Sequence, residues 1–122
     1  MKEITKNDLY ESIKLYSKSE IKLIEKAYDY AKKLHEGQFR ESGEPYIIHP
    51  LNVAYILSEM HADADTICAG LLHDTLEDTE ITKEELAEAF NKEIANLVDG
   101  VTKISKLNFH QKMIEIWQML EK

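Results

Sequence analysis

One cysteine, two prolines, four glycines and one tryptophan are all that the 122 residues contain of those types, and each scarcity excludes something. A single thiol, Cys68, rules out an internal disulfide and suits a reducing compartment, so a cytoplasmic location is expected. Cys68 stands beside Ala69 and Gly70 on an apolar stripe, the setting of a packing residue rather than of a nucleophile. No apolar run approaches the roughly 18 residues needed to cross a bilayer, and the charged N-terminus lacks the apolar stretch of a secretory signal. No membrane partner is expected. Cations are also scarce: 15 Lys and Arg face 23 Asp and Glu, for a formal net charge of -8. That balance argues against nucleic acid as a partner, because such binding is driven by basic residues that displace counterions from phosphates. Strand alternation of useful length, internal repeats, low-complexity tracts and Gly/Ser linkers are all missing.

What is present reads as helix. Leu9, Ile13 and Tyr16 recur at helical spacing over Asp8 to Tyr16, and Ser19 is placed to cap a second helix with an apolar stripe of Ile21, Ile24, Ala27, Tyr28, Ala31 and Leu34. Further helices are expected over Leu51 to Met60 and from about Asp65 to Glu77. Another should span Lys83 to Phe90 behind a Thr82/Glu85 capping box, and a sixth is marked by Ile94, Leu97, Val98 and Val101. With 43% hydrophobic residues the chain can build one core, so one domain over 1–122 is the expected count, of a size that is only marginally stable. The fold class is all-α.

The stretch Cys68 to Thr79, C-A-G-L-L-H-D-T-L-E-D-T, concentrates the chemistry. If it is helical throughout, His73 to Glu77 and Asp74 to Asp78 are both i,i+4 pairs, and one imidazole and three carboxylates crowd one helix end. Such a cluster is costly to bury unless its charge is compensated, for which a divalent cation is a common solution. Two readings stay open on the pattern alone: half of a metal-dependent hydrolytic site, or a solvated acidic face beside a hydrogen-bonded core histidine. His49 closes a loop, Gly37 to Pro50, that holds both prolines. Pro50 fits the first turn of a following helix, which puts His49 at or just before the N-cap, either reaching across to another helix or merely capping its own.

Three segments taken together, R-E-S-G-E-P-Y-I-I-H-P, L-L-H-D-T-L-E-D-T and L-V-D-G-V-T-K-I-S-K-L, resemble the N-terminal HD hydrolase domain of the RelA/SpoT family of (p)ppGpp enzymes, over about Ile21 to Leu107. The resemblance implies an HD-domain helical bundle and a metal centre, usually manganese, held by His49, His73 and Asp74. It also implies catalytic carboxylates at Glu77 and Asp78, and guanine-nucleotide contacts at Arg40 and Ser42. The implied activity is hydrolysis of the 3′-pyrophosphate of (p)ppGpp to GDP or GTP and pyrophosphate, in the stringent response. Lys32, Lys33, His35 and Arg40 form a basic group that is either a substrate patch or a solvated helix end, with His35 as a helix-end cation; His61 and His110 read as surface residues.

Two departures qualify this. Glu41 stands where the family commonly has a basic residue, and no segment like the family's late K-L-A-D-R supplies its further metal-binding aspartate before Lys122. Water, or a carboxylate from elsewhere such as Asp99, Glu115 or a neighbouring chain, would have to fill that place, and the metal would be held weakly. After Leu107 the sequence leaves the family pattern, as a truncated or shortened relative does, which puts the activity of the chain in doubt. Phe109, Met113, Ile116, Trp117 and Leu120 make an amphipathic face there, for core packing or for a homodimer or swapped contact. Alternatives to the alarmone hydrolase are an HD phosphohydrolase for another nucleotide, such as NADPH or a different purine polyphosphate, and a non-catalytic nucleotide-binding or interaction module.

Overall fold

The computed structural model describes residues 3–103 and Gln118. Among the described residues, helices follow one another as α1 (Lys6–Ser12), α2 (Lys18–Leu34), α3 (Ile48–Glu59), α4 (Ala64–Leu72), α5 (Thr75–Asp78) and α6 (Lys83–Ala89). Helical backbone resumes over 92–103. Among the described residues there is no strand, only an isolated antiparallel bridge between Phe39 and Pro45. The all-α bundle expected from the apolar spacing is the fold.

Local chemistry sets the helix starts. Thr5 and Asp8 form a reciprocal capping box on α1, and Thr82 accepts from the Glu85 amide at the start of α6. The cap of α2 is Ser17, not Ser19. Glu20 lies three residues after Ser17 and its carboxylate accepts from the Ser17 amide at 3.0 Å, whereas the residue three after Ser19 is Lys22, which cannot accept. Asp63 caps α4 through the Thr66 amide at 2.8 Å, so Asp65 falls inside the first turn.

The core lies where α2, α3 and α4 meet. Every residue of α4 from Ile67 to Leu72 is buried, and Ile24, Ala27, Tyr28 and Ala31 of α2 are buried with them, as the stripe requires. Each large side chain buried there is worth about 1.5–3 kcal/mol. Cys68 is one of the packed residues, and burial pushes its thiol up to about 12, which removes it as a nucleophile. Gly70 allows α3 to come close. A Cβ at that position would lie 2.7 Å from Leu57 Cδ1 and 3.4 Å from Val53 Cγ1.

The first helix is Lys6–Ser12, ending before the Tyr16 to which the apolar spacing carried it, and two further differences from the boundaries read in the sequence lie at the site. The helix expected from Asp65 to Glu77 stops at Leu72, because the His73 ring donates to the Gly70 carbonyl at 2.6 Å and the Thr75 hydroxyl donates to the Leu72 carbonyl at 2.7 Å. These side chains satisfy carbonyls that a continuing helix would have bonded itself. His49 is the second residue of α3, after an N-cap at Ile47 that makes no side-chain bond, so its ring is not used in capping. Pro50 does occupy the first turn. Phe109, Met113, Ile116, Trp117 and Leu120, on which the amphipathic face and its self-association were expected, and His110 lie outside the described residues.

Candidate metal centre

The start of α3 and the end of α4 deliver His49, His73 and Asp74 to one place. Their potential ligand atoms lie within 4.8 Å of one another. His73 Nε2 is 3.2 Å from His49 Nε2 and 3.1 Å from Asp74 Oδ2, and His49 Nε2 is 3.5 Å from the same oxygen. The donor that His73 Nδ1 makes to Gly70 leaves Nε2 of a neutral ring with its lone pair toward the cluster. Two ring nitrogens facing each other beside a carboxylate need a proton or a cation among them. Two imidazole nitrogens and a carboxylate oxygen, partly buried, are a donor set that suits a divalent transition metal.

Charge within the cluster is polarised accordingly. Burial alone would raise the Asp74 carboxyl, but hydrogen bonds from His73 and Tyr46 and the nearby His49 hold it below the ordinary range. Burial pulls His73 down, yet its bonds to Asp74 and Gly70 together leave it raised. His49 is lowered, by burial first and by the neighbouring His73 and Arg40. The two rings are thus pushed in opposite directions, His73 toward holding a proton by its bonds to Asp74 and Gly70 and His49 away from it by burial.

Around this centre the remaining expected residues divide. Asp78 is exposed, but its charge acts on His49, His73 and Tyr46, and its carbonyl accepts from Gln38 Nε2 at 3.1 Å. Glu77 is exposed and makes no hydrogen bond or ion pair among the described residues. Arg40 and Ser42 sit on a turn closed by Arg40 N to Glu44 O at 2.9 Å and Gly43 N to Arg40 O at 2.8 Å. Gly43 has φ 89°, which a side chain would strain. Arg40 is exposed with its charge felt at His49, while Ser42 and Glu41 are exposed beside it. Asp99 does not join the cluster; it pairs with Lys83 at 3.4 Å and Lys103 at 3.0 Å. Glu115 lies outside the described residues.

Of the basic group, Lys32 and Lys33 are exposed on the last turn of α2 and line a cavity of about 350 Å³ that contains none of the three clustered residues. His35, at the end of α2, is buried at 2% exposure with Nδ1 3.0 Å from Gln38 Oε1, so its ring is packed inside the loop and not open to solvent. His61 is exposed, as read. The residue that sequence reasoning missed is Tyr46. Its hydroxyl donates to Asp74 Oδ2 at 2.8 Å, and its ring lies against His35 at 4.7 Å. The available signal was an aromatic with a polar tip three residues before His49 in an otherwise exposed loop.

An HD domain family model matches residues 27–118, and the chain belongs to the HD domain family. Its relatives place it on one branch, the RelA/SpoT (p)ppGpp synthetase/hydrolases. It is 57% identical over 89 residues to a GTP pyrophosphokinase of Myxococcus xanthus, covering 73% of this chain and 12% of that protein. A guanosine-3′,5′-bis(diphosphate) 3′-pyrophosphohydrolase of Aquifex aeolicus is 53% identical over 97 residues, covering 80% and 14%. The bifunctional (p)ppGpp synthase/hydrolase SpoT of Escherichia coli K12 is 50% identical over 93 residues, covering 76% and 13%. The chain thus spans only about an eighth of the length of these relatives.

Proposed function

We propose that this chain carries a metal-dependent hydrolytic site for the 3′-pyrophosphate of (p)ppGpp, releasing pyrophosphate and GDP or GTP, in the cytoplasm and in the stringent response. The observation that carries the proposal is the convergence of His49 Nε2, His73 Nε2 and Asp74 Oδ2 at the junction of α3 and α4, in a chain whose relatives bear that hydrolase name. These three residues would hold the cation, taken as manganese, which supplies charge that acidifies water and offsets the phosphates.

The protein's own groups do the rest. Asp78, whose charge already acts on both histidines, accepts the proton of the attacking water, and Glu77 orients that water from the neighbouring position. Water oxygen bonds to the phosphorus nearest the ribose, the bond from that phosphorus to O3′ breaks, and O3′ takes up a proton. Arg40 lies where it would meet the anionic nucleotide, with Ser42 as a hydroxyl partner; Glu41 opposes an anion at that spot and leaves other nucleotides in contention. Incubation with manganese and ppGpp, NADPH or other purine polyphosphates, followed by chromatography, tests the reading. GDP and pyrophosphate should form from ppGpp and stop on addition of chelator.

A second reading has its own support. The cluster has three members among the described residues, and Glu77 stands clear of it, as a nucleotide-binding module with little turnover would allow. Calorimetric binding of manganese and nucleotide without pyrophosphate release is its signature.

A further inference from the structure

We infer that Tyr46 is a positioning residue that fixes the Asp74 carboxylate for the cation and ties it to the loop carrying Arg40; the inference rests on the metal-centre reading above. The Tyr46 hydroxyl donates to Asp74 Oδ2 at 2.8 Å, and this is the oxygen that faces His73 Nε2 and His49 Nε2. The Tyr46 bond therefore joins the His73 contact in setting the rotation of the carboxylate and in selecting which oxygen is offered to the cluster. Without it that oxygen keeps only its contacts with the two rings, which a cation would replace, so nothing outside the cluster holds it in place.

The hydroxyl is itself held from behind. Tyr46 N donates to Gln38 O at 3.0 Å across the neck of the loop, next to the Phe39–Pro45 bridge. Its ring leans on the buried His35 at 4.7 Å and 34°, and meets His49 edge-on at 6.0 Å. Gln38 completes the frame, its Oε1 on His35 Nδ1 and its Nε2 on the carbonyl of Asp78. The loop is in this way bolted to the end of α5 by Gln38 and to the metal carboxylate by Tyr46. Residues that hydrogen-bond a ligand from outside the coordination sphere orient it and tune its basicity, and losing one typically weakens metal binding about 10- to 100-fold.

Tyr46→Phe removes the hydroxyl and keeps the ring that leans on His35, so the helical signal of the metal-free variant should match the wild type. Manganese titration by calorimetry should show affinity about 10- to 100-fold weaker. With cobalt as a probe, the visible absorption bands should shift as well, which a loss of packing alone would not cause. His73→Ala serves as the reference for a destroyed centre. If the wild type binds manganese, His73→Ala does not, and Tyr46→Phe matches the wild type in affinity and cobalt spectrum, the positioning role is overturned while the metal centre stands. A wild type that binds no manganese overturns both.

Discussion

His73 is used at both ring nitrogens, one ending α4 and the other facing His49 and Asp74, so its protonation is coupled to the fold as well as to the site. The Asp74 carboxyl is lowered from 3.8 and His73 is raised from 6.5. Asp74 therefore adds stability above its unfolded value that is lost as pH falls through the lower folded one. His73 adds stability that is full below its unfolded value and is lost as pH rises through the higher folded one. In metal-free protein the pair stabilises most between those two ordinary values, while the lowered His49 takes stability away as pH falls below its own ordinary value of 6.5, inside that window. Thermal melts from acid to alkaline pH should thus show the gap between wild type and Asp74→Asn widest in that window and closing at both ends. At the same scale, Asp78 and Glu77 can be separated. Asp78→Asn should lower pyrophosphate release by about 10²- to 10⁴-fold with manganese affinity nearly kept, the usual worth of general-base help. Glu77→Gln, assigned only the orienting of the water, should cost less; the reverse order in steady-state rates would exchange their roles.

Elements bring these residues together only because α3 and α4 approach closely, and Gly70 is where they do so. Alanine there would require only that the end of the Leu57 side chain swing away, but valine adds two methyls against Leu57 and Val53. Gly70→Val should cost about 1–3 kcal/mol in urea unfolding, and should also weaken manganese binding, since His49 and His73 ride on the two helices it pushes apart. A variant destabilised to that degree with unchanged manganese affinity would show that the helix spacing does not set the cluster. Much of this level was legible in advance. The apolar stripe of α2, the Thr82 cap and the place of Pro50 follow from spacing and local hydrogen bonding, and the structure has them. The end of α4 was not legible, because it depends on which carbonyls the His73 ring and Thr75 hydroxyl reach, and helical periodicity through Glu77 carries no sign of that. Tyr46 escaped for a similar reason: its partner, Asp74, is 28 residues away, a distance over which no local pattern operates.

For the molecule as a whole, a net charge of -8 and the polyanionic substrate proposed for it are reconciled only locally. Arg40 beside His49, and a cation between His49, His73 and Asp74, would place positive charge where the phosphates arrive, against an otherwise acidic surface. No helix among the described residues is long and apolar enough to cross a membrane. Everything in the functional reading depends on that one cation site. Titration of the intact chain with manganese, following the free ion by electron paramagnetic resonance in wild type and in His49→Ala, His73→Ala and Asp74→Ala, tests it most directly. The account predicts one saturable site in the wild type, lost or greatly weakened in each of the three variants while their helical signal is retained. Binding that is absent in the wild type, or unchanged by all three substitutions, would contradict it.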